Sequence, residues 1–95
     1  MSYLSESDVE FEAARSGGPG GQHGDRRATA VRLRVHFDDI PLNDEERKFL
    51  EEHLPPKNRT KDDEMLVEIG GSRSQRENRK KALEVANEEI EKALE

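Results

Sequence analysis

Val31-Arg32-Leu33-Arg34-Val35-His36-Phe37 is the stretch on which the fold of this 95-residue chain turns. Successive side chains of an extended strand point to opposite faces. Val31, Leu33, Val35 and Phe37 therefore share an apolar face, and Arg32, Arg34 and His36 share the other. A strand with one buried and one wet face suits an antiparallel sheet covered on one side. The expectation is a core on the valine side and an open, cationic face on the arginine side. Asp38-Asp39-Ile40-Pro41 ends the strand, because proline donates no ladder hydrogen bond and restricts the residue before it.

Towards the N-terminus, Val9, Phe11 and Ala13 alternate with Glu10, Glu12 and Ala14, a second and shorter strand pattern. Between the two strands runs Arg15-Ser16-Gly17-Gly18-Pro19-Gly20-Gly21-Gln22-His23, which holds four of the seven glycines, followed by Gly24-Asp25-Arg26-Arg27. Clustered glycine raises the entropic cost of ordering the chain, and it belongs where the backbone must approach something closely. The stretch reads as a long loop between strands with Gln22 near its tip.

Towards the C-terminus, Asn43 is an N-cap candidate, and Asp44, Glu45 and Glu46 put negative charge at the positive end of the helix dipole. Phe49, Leu50 and Leu54 supply that helix with an apolar side, and Pro55-Pro56 stop it. Residues 57–64 read as a charged connector. Met65, Val67 and Ile69, set against Leu66 and Glu68, read as a third strand broken by Gly70-Gly71. Ser74-Gln75-Arg76-Glu77 has the form of a capping box. Leu83, Ala86, Ile90 and Ala93 then recur at three- and four-residue steps, which predicts a last helix with one packing face. The fold class is α+β: a small mixed or antiparallel sheet of about three strands, packed on two helices, with the glycine-rich loop between the first two strands. Both helices are expected over Val31, Leu33 and Val35. Residues 1–95 read as a single domain, with 1–7 a flexible lead-in.

Composition narrows the function classes. The chain has no cysteine, so disulfides and thiolate chemistry are excluded. The first residues form no signal or transit pattern, and no segment reaches membrane-spanning length, so a soluble, cytoplasmic protein without membrane contact is expected. The formal net charge is −6, yet Arg15, Arg26, Arg27, Arg32 and Arg34 face a lone Asp25 within residues 15–36. Arg73, Arg76, Arg79, Lys80 and Lys81 likewise face a lone Glu77 within residues 73–81. Two basic islands in an acidic chain predict an oriented basic surface, if the fold brings them together. Lys80 and Lys81 are expected on the rim of the last helix as anchoring charges for an anionic substrate, with Arg32 and Arg34 on the open sheet face.

The loop fits neither phosphate-binding pattern. Gly-x-x-x-x-Gly-Lys-Ser/Thr is absent, and His23 stands where a dinucleotide fingerprint needs its third glycine. His23, His36 and His53 share no metal-ligand spacing, so no metal and no cofactor is expected. The acidic residues sit mostly at caps and on solvated helix faces, which disfavours a paired-carboxylate hydrolase.

Arg15-Ser16-x-Gly18-Pro19-Gly20-Gly21-Gln22-His23 resembles the catalytic loop of class I peptide chain release factors and of stand-alone ribosome-rescue peptidyl-tRNA hydrolases. It precedes Ala28-Thr29-Ala30-Val31-Arg32-Leu33-Arg34, similar to a Thr/Ser-Ala-Val strand of that family. Arg73-Ser74-Gln75-x-x-Asn78 resembles the motif that opens the family's last helix. The resemblance spans roughly residues 8–95. It implies hydrolysis of the ester joining a nascent peptide to tRNA, in the peptidyl transferase centre of the large ribosomal subunit. Gly20, Gly21 and Gln22 take the catalytic positions. Arg15, His23, Arg26 and Arg27 meet rRNA, and Arg32, Arg34, Lys80 and Lys81 extend that contact. The implied partners are rRNA and peptidyl-tRNA, the implied state a monomer. These 95 residues show neither a codon-reading domain nor a basic tail, so codon-independent action is the expectation. After Gly-Gly-Gln the relatives carry Asn-Val-Asn-Lys or His-Val-Asn, whereas this chain has His23-Gly24-Asp25-Arg26. A non-catalytic ribosome- or RNA-binding module with the same fold is the alternative.

Overall fold

In the computed structural model, residues 3–15, 29–71 and 73–95 are described. Strands β1 (Glu10–Arg15), β2 (Thr29–His36) and β3 (Glu64–Gly70) form one sheet in the order β1-β2-β3. Both pairings are antiparallel, which resolves the mixed-or-antiparallel alternative. Helices α1 (Asp44–His53) and α2 (Gln75–Leu94) complete the α+β fold, with short 3₁₀ turns at Glu6–Asp8, Phe37–Asp39 and Pro56–Asn58.

The alternation in β2 works as its chemistry dictates. Val31, Leu33 and Val35 are buried, and their cross-strand partners Phe11, Ile69, Val67 and Met65 extend the same face. Phe37, one residue past the strand, is also buried; its N–H donates to Asp63 O at 3.0 Å and the Arg59 guanidinium lies 5.5 Å from its ring centroid. The connector that looked merely charged thus supplies a cation over a core aromatic, a contact that adds to packing.

The cap of α1 is reciprocal. Asn43 Oδ1 accepts from Glu46 N at 2.8 Å, and Glu46 Oε1 accepts from Asn43 N at 3.1 Å. Leu50 and Leu54 enter the core, but Phe49 does not: it is 41% exposed and stacks on His53 with ring centroids 4.1 Å apart. At 100° per residue, Phe49 cannot share the narrow stripe that Leu50 and Leu54 form at i and i+4.

Helix α2 packs against β2 and β3, and α1 packs against α2, with Leu50 and Leu54 in the same core cluster as Val31, Leu33 and Val35. The buried stripe of α2 is Asn78, Ala82, Ala86, Ile90 and Ala93. Leu83, expected in that stripe, is half-buried; it lines with Leu4 and Asn87 a groove beside the start of the chain. Three alanines in the stripe leave room for close approach of the helix to the sheet. Gly71 has φ +114, a left-handed conformation that lets the chain leave β3 and turn into α2. Where the sequence predicts a flexible lead-in, Tyr3 and Leu4 are fastened: both backbone N–H groups donate to Asn87 Oδ1 at 2.8 Å, and Asn87 Nδ2 donates to Leu4 O at 3.2 Å. Leu4 is buried as a result.

Candidate functional site

Strands β1 and β2, which flank the glycine-rich segment in sequence, pair up to its two ends. Arg15, the last residue of β1, is the ladder partner of Thr29, the first of β2, and Ala14 partners Ala30 behind them. Gly20, Gly21, Gln22, His23, Arg26 and Arg27 lie outside the described residues. Arg15 is placed at the strand end that leads into them.

The opening of α2 is brought to that same end of the sheet. Ser74 Oγ accepts from Glu77 N at 3.2 Å and caps the helix. Gln75 Nε2 reaches across to the carbonyl oxygen of Ala30 at 3.4 Å. Asn78, buried to 2% exposure, donates from Nδ2 to Gln75 Oε1 at 3.3 Å. The first turns of α2 therefore stand next to the root of the glycine-rich segment. Arg73, Arg76, Arg79, Lys80 and Lys81 in and before these turns are all exposed. Ion pairs among the described residues lie elsewhere, on the open sheet face and around Arg47 and His36. Lys80 borders the groove that also holds Glu84, Glu88 and Glu91, so acidic side chains share its surroundings.

The open sheet face differs from expectation. Arg32 lies between Glu12 and Glu68 in register, and Arg34 lies between Glu10 and Leu66. Arg32 meets Glu12 Oε1 at 3.4 Å through Nη1 and Glu68 Oε2 at 3.2 Å through Nη2. Arg34 meets the same Glu12 Oε1 at 3.0 Å and approaches Glu64 Oε1 at 3.7 Å. The result is a zigzag of alternating charge across all three strands. Glu10, Glu12, Glu64 and Glu68 outnumber Arg32 and Arg34, so the face is acidic rather than cationic. Reading β2 alone reveals its arginines but not the glutamates that the register sets against them. The fold also separates the first basic island. Arg15 marks the loop end, whereas Arg32 and Arg34 lie on the face turned away from α2 and its five cations.

The described residues hold no group of three or more His, Asp or Glu side chains arranged to bind a metal ion. No helix among them is long and apolar enough to cross a membrane. Their arrangement offers a different chemistry: a strand pair that carries a Gly-Gly-Gln segment, next to a helix start with exposed cations. No curated protein sequence matches the chain. A family model for the RF-1 domain, by contrast, matches residues 2–95, nearly the whole of it. The strand–loop–strand–helix–strand–helix order, the Gly20-Gly21-Gln22 triplet and the extent of that match place this chain in the RF-1 domain family, the Gly-Gly-Gln-bearing domain of class I release factors.

Proposed function

We propose that this chain is a peptidyl-tRNA hydrolase of the ribosome-rescue kind, acting in the cytoplasm on the large ribosomal subunit without reading a codon. The observation that carries this reading is the RF-1 domain match over residues 2–95, within which Gly20-Gly21-Gln22 occurs intact. The reaction adds water across the ester between the peptide and the tRNA ribose, giving a peptide carboxylate and a free ribose hydroxyl. Attack creates a tetrahedral oxyanion, and a backbone N–H aimed at it or at the departing oxygen lowers the barrier. Gly20 and Gly21 carry no Cβ to keep the main chain away from the substrate, so the N–H of Gln22 suits that role. The Gln22 amide orients the water and restricts competing nucleophiles. The rRNA and the tRNA ribose complete the site, and the protein needs no acid–base residue of its own. Arg15, His23, Arg26 and Arg27 contact rRNA phosphate near the loop. Lys80 and Lys81 extend the contact along α2, and their exposure supports that role. Arg32 and Arg34 reach phosphate only by leaving Glu12, Glu64 and Glu68. The proposed acting form is a monomer.

A second reading rests on His23-Gly24-Asp25 after the triplet. Gly24 and Asp25 stand where the relatives carry Val and Asn, and Asp25 adds a negative charge that rRNA would repel. Under this reading the protein binds the ribosome without hydrolysis. A release assay on stalled ribosomes carrying labelled peptidyl-tRNA separates the two, run beside ribosome pelleting at graded salt. The hydrolase reading expects release by the wild type and a loss of roughly 100-fold or more in Gln22→Ala, with unchanged pelleting and thermal stability. Equal release by both proteins removes the side-chain amide of Gln22 from the chemistry but not its backbone N–H, which the substitution retains. Salt-sensitive pelleting with no release by either establishes the binding module.

A further inference from the structure

Asn78 is the fully buried polar side chain among the described residues, and burial of an amide is costly unless its hydrogen bonds are met. It lies on the core side of α2, one turn into the helix, where an aliphatic residue would pack with less penalty. Its Nδ2 donates to Gln75 Oε1, and Gln75 Nε2 donates to Ala30 O. The direction of this chain is fixed by chemistry. A carbonyl only accepts, so Gln75 must present its NH₂ to Ala30 and its oxygen to Asn78, and Asn78 must answer with its own NH₂. The two amides therefore work in series and not as alternative partners.

What the series joins is specific. At one end is the opening of α2, where Arg73, Arg76, Arg79, Lys80 and Lys81 stand exposed. At the other is Ala30, the second residue of β2, adjacent to the Arg15–Thr29 pair. Apolar packing would hold α2 on the sheet without such a link, since Ala82, Ala86 and Ile90 are all buried against it. Hydrophobic contact, however, is non-directional and tolerates small sliding. A hydrogen bond from side chain to strand carbonyl specifies the register of helix against strand.

We infer that Gln75 and Asn78 are positioning residues: their relay fixes the phosphate-docking turns of α2 relative to the strand pair that carries the Gly-Gly-Gln segment. This rests on the hydrolase reading above. Docking at α2 and chemistry at the segment then share one rigid frame, and a loss of register costs turnover more than affinity.

The test uses the full chain with Gln75→Met, which keeps length and volume but removes both amide functions, and with the double variant Gln75→Met/Asn78→Leu, which also removes the buried amide left behind. Peptide release is measured at saturating and limiting protein on ribosomes carrying peptidyl-tRNA. The relay expects kcat to fall roughly 10- to 100-fold with KM within about twofold of wild type. It also expects the amides of Ala14, Arg15, Thr29 and Ala30 to exchange with solvent about tenfold faster, with Leu33 and Val67 unchanged. A plain structural anchor would instead lower the thermal midpoint and speed exchange across the whole sheet. Unchanged kcat, or a change confined to KM, overturns the relay. Absence of release by the wild type refutes the hydrolase reading instead, and the exchange measurement then decides the relay alone: equal rates at the strand ends in wild type and both variants refute it.

Discussion

Glu12→Gln distinguishes the two surfaces on which this protein displays its cations. Glu12 Oε1 is shared by Arg32 at 3.4 Å and Arg34 at 3.0 Å, with side chains 36% exposed on the arginines and 49% on the glutamate. Ion pairs at such exposure contribute about 0.2–1 kcal/mol each, because water and salt screen them and two long side chains must be ordered. The amide retains an acceptor for one arginine, so the substitution should cost about 0.5–1 kcal/mol. In a domain of this size that lowers the thermal midpoint by roughly 2–8 °C. Raising the ionic strength to about 1 M shortens the Debye length to roughly 3 Å and should shrink the difference. Ribosome binding is the second readout. After substitution Glu10, Glu64 and Glu68 still surround the two arginines, so the face does not become basic. Affinity should change by less than about twofold, and the dependence of log affinity on log salt should stay the same. Each added phosphate contact would steepen that slope by roughly 0.7–0.9. Tighter binding with a slope steeper by about that much would show that Arg32 or Arg34 takes phosphate once released, and would refute the reasoning that the remaining glutamates keep this face from docking.

Replacing Lys80 and Lys81 with alanine should flatten the salt dependence of ribosome pelleting by up to about 1.5 in slope, with stability changed by less than roughly 0.5 kcal/mol, as urea titration would report. Asn43→Ala removes the side-chain half of the α1 cap, the Oδ1 that accepts from Glu46 N, and should destabilise by about 1 kcal/mol in the same titration, whereas Asn43→Asp should remain near wild type. Leu33→Ala empties the middle of the central strand, where the side chain is 0% exposed, and should cost about 2–5 kcal/mol by thermal or urea unfolding.

The parts of this structure legible in the sequence are those fixed by local rules. The two-residue alternation of β2 needs only the pleat, and the Asn43 and Ser74 caps need only four consecutive residues each. Other features depend on neighbours distant in the chain or on weakly apolar side chains, and are not legible. The acidity of the open face arises because register sets Glu12 and Glu68 beside Arg32, which no window along one strand displays. The exposure of Phe49 follows from α1 turning a narrow edge to α2, and side-chain hydrophobicity alone pointed the other way. Ala82 and Asn78 give weak apolar signals beside Leu83, being a small side chain and an amide, although they lie in the strict four-residue stripe with Ala86 and Ile90. Of the candidate site, the Gly-Gly-Gln triplet and the Ser74-Gln75-x-x-Asn78 motif were readable as motifs. That Gln75 reaches Ala30 was not, since 45 positions separate them.

The clasp of Asn87 on Tyr3 and Leu4 closes a long circuit, across 84 and 83 positions. Contacts of such separation bear the full entropy of loop closure before they return any energy. A nucleus built from the β2–β3 pairing and the α2 stripe can form without the clasp, which places it late on the folding route. Mutations at Asn87 should then leave the refolding rate nearly untouched and speed unfolding instead, the signature of an interaction absent from the transition state. The start of the chain acts as a latch on the finished domain, one that sets how long the native state persists rather than how quickly it is reached.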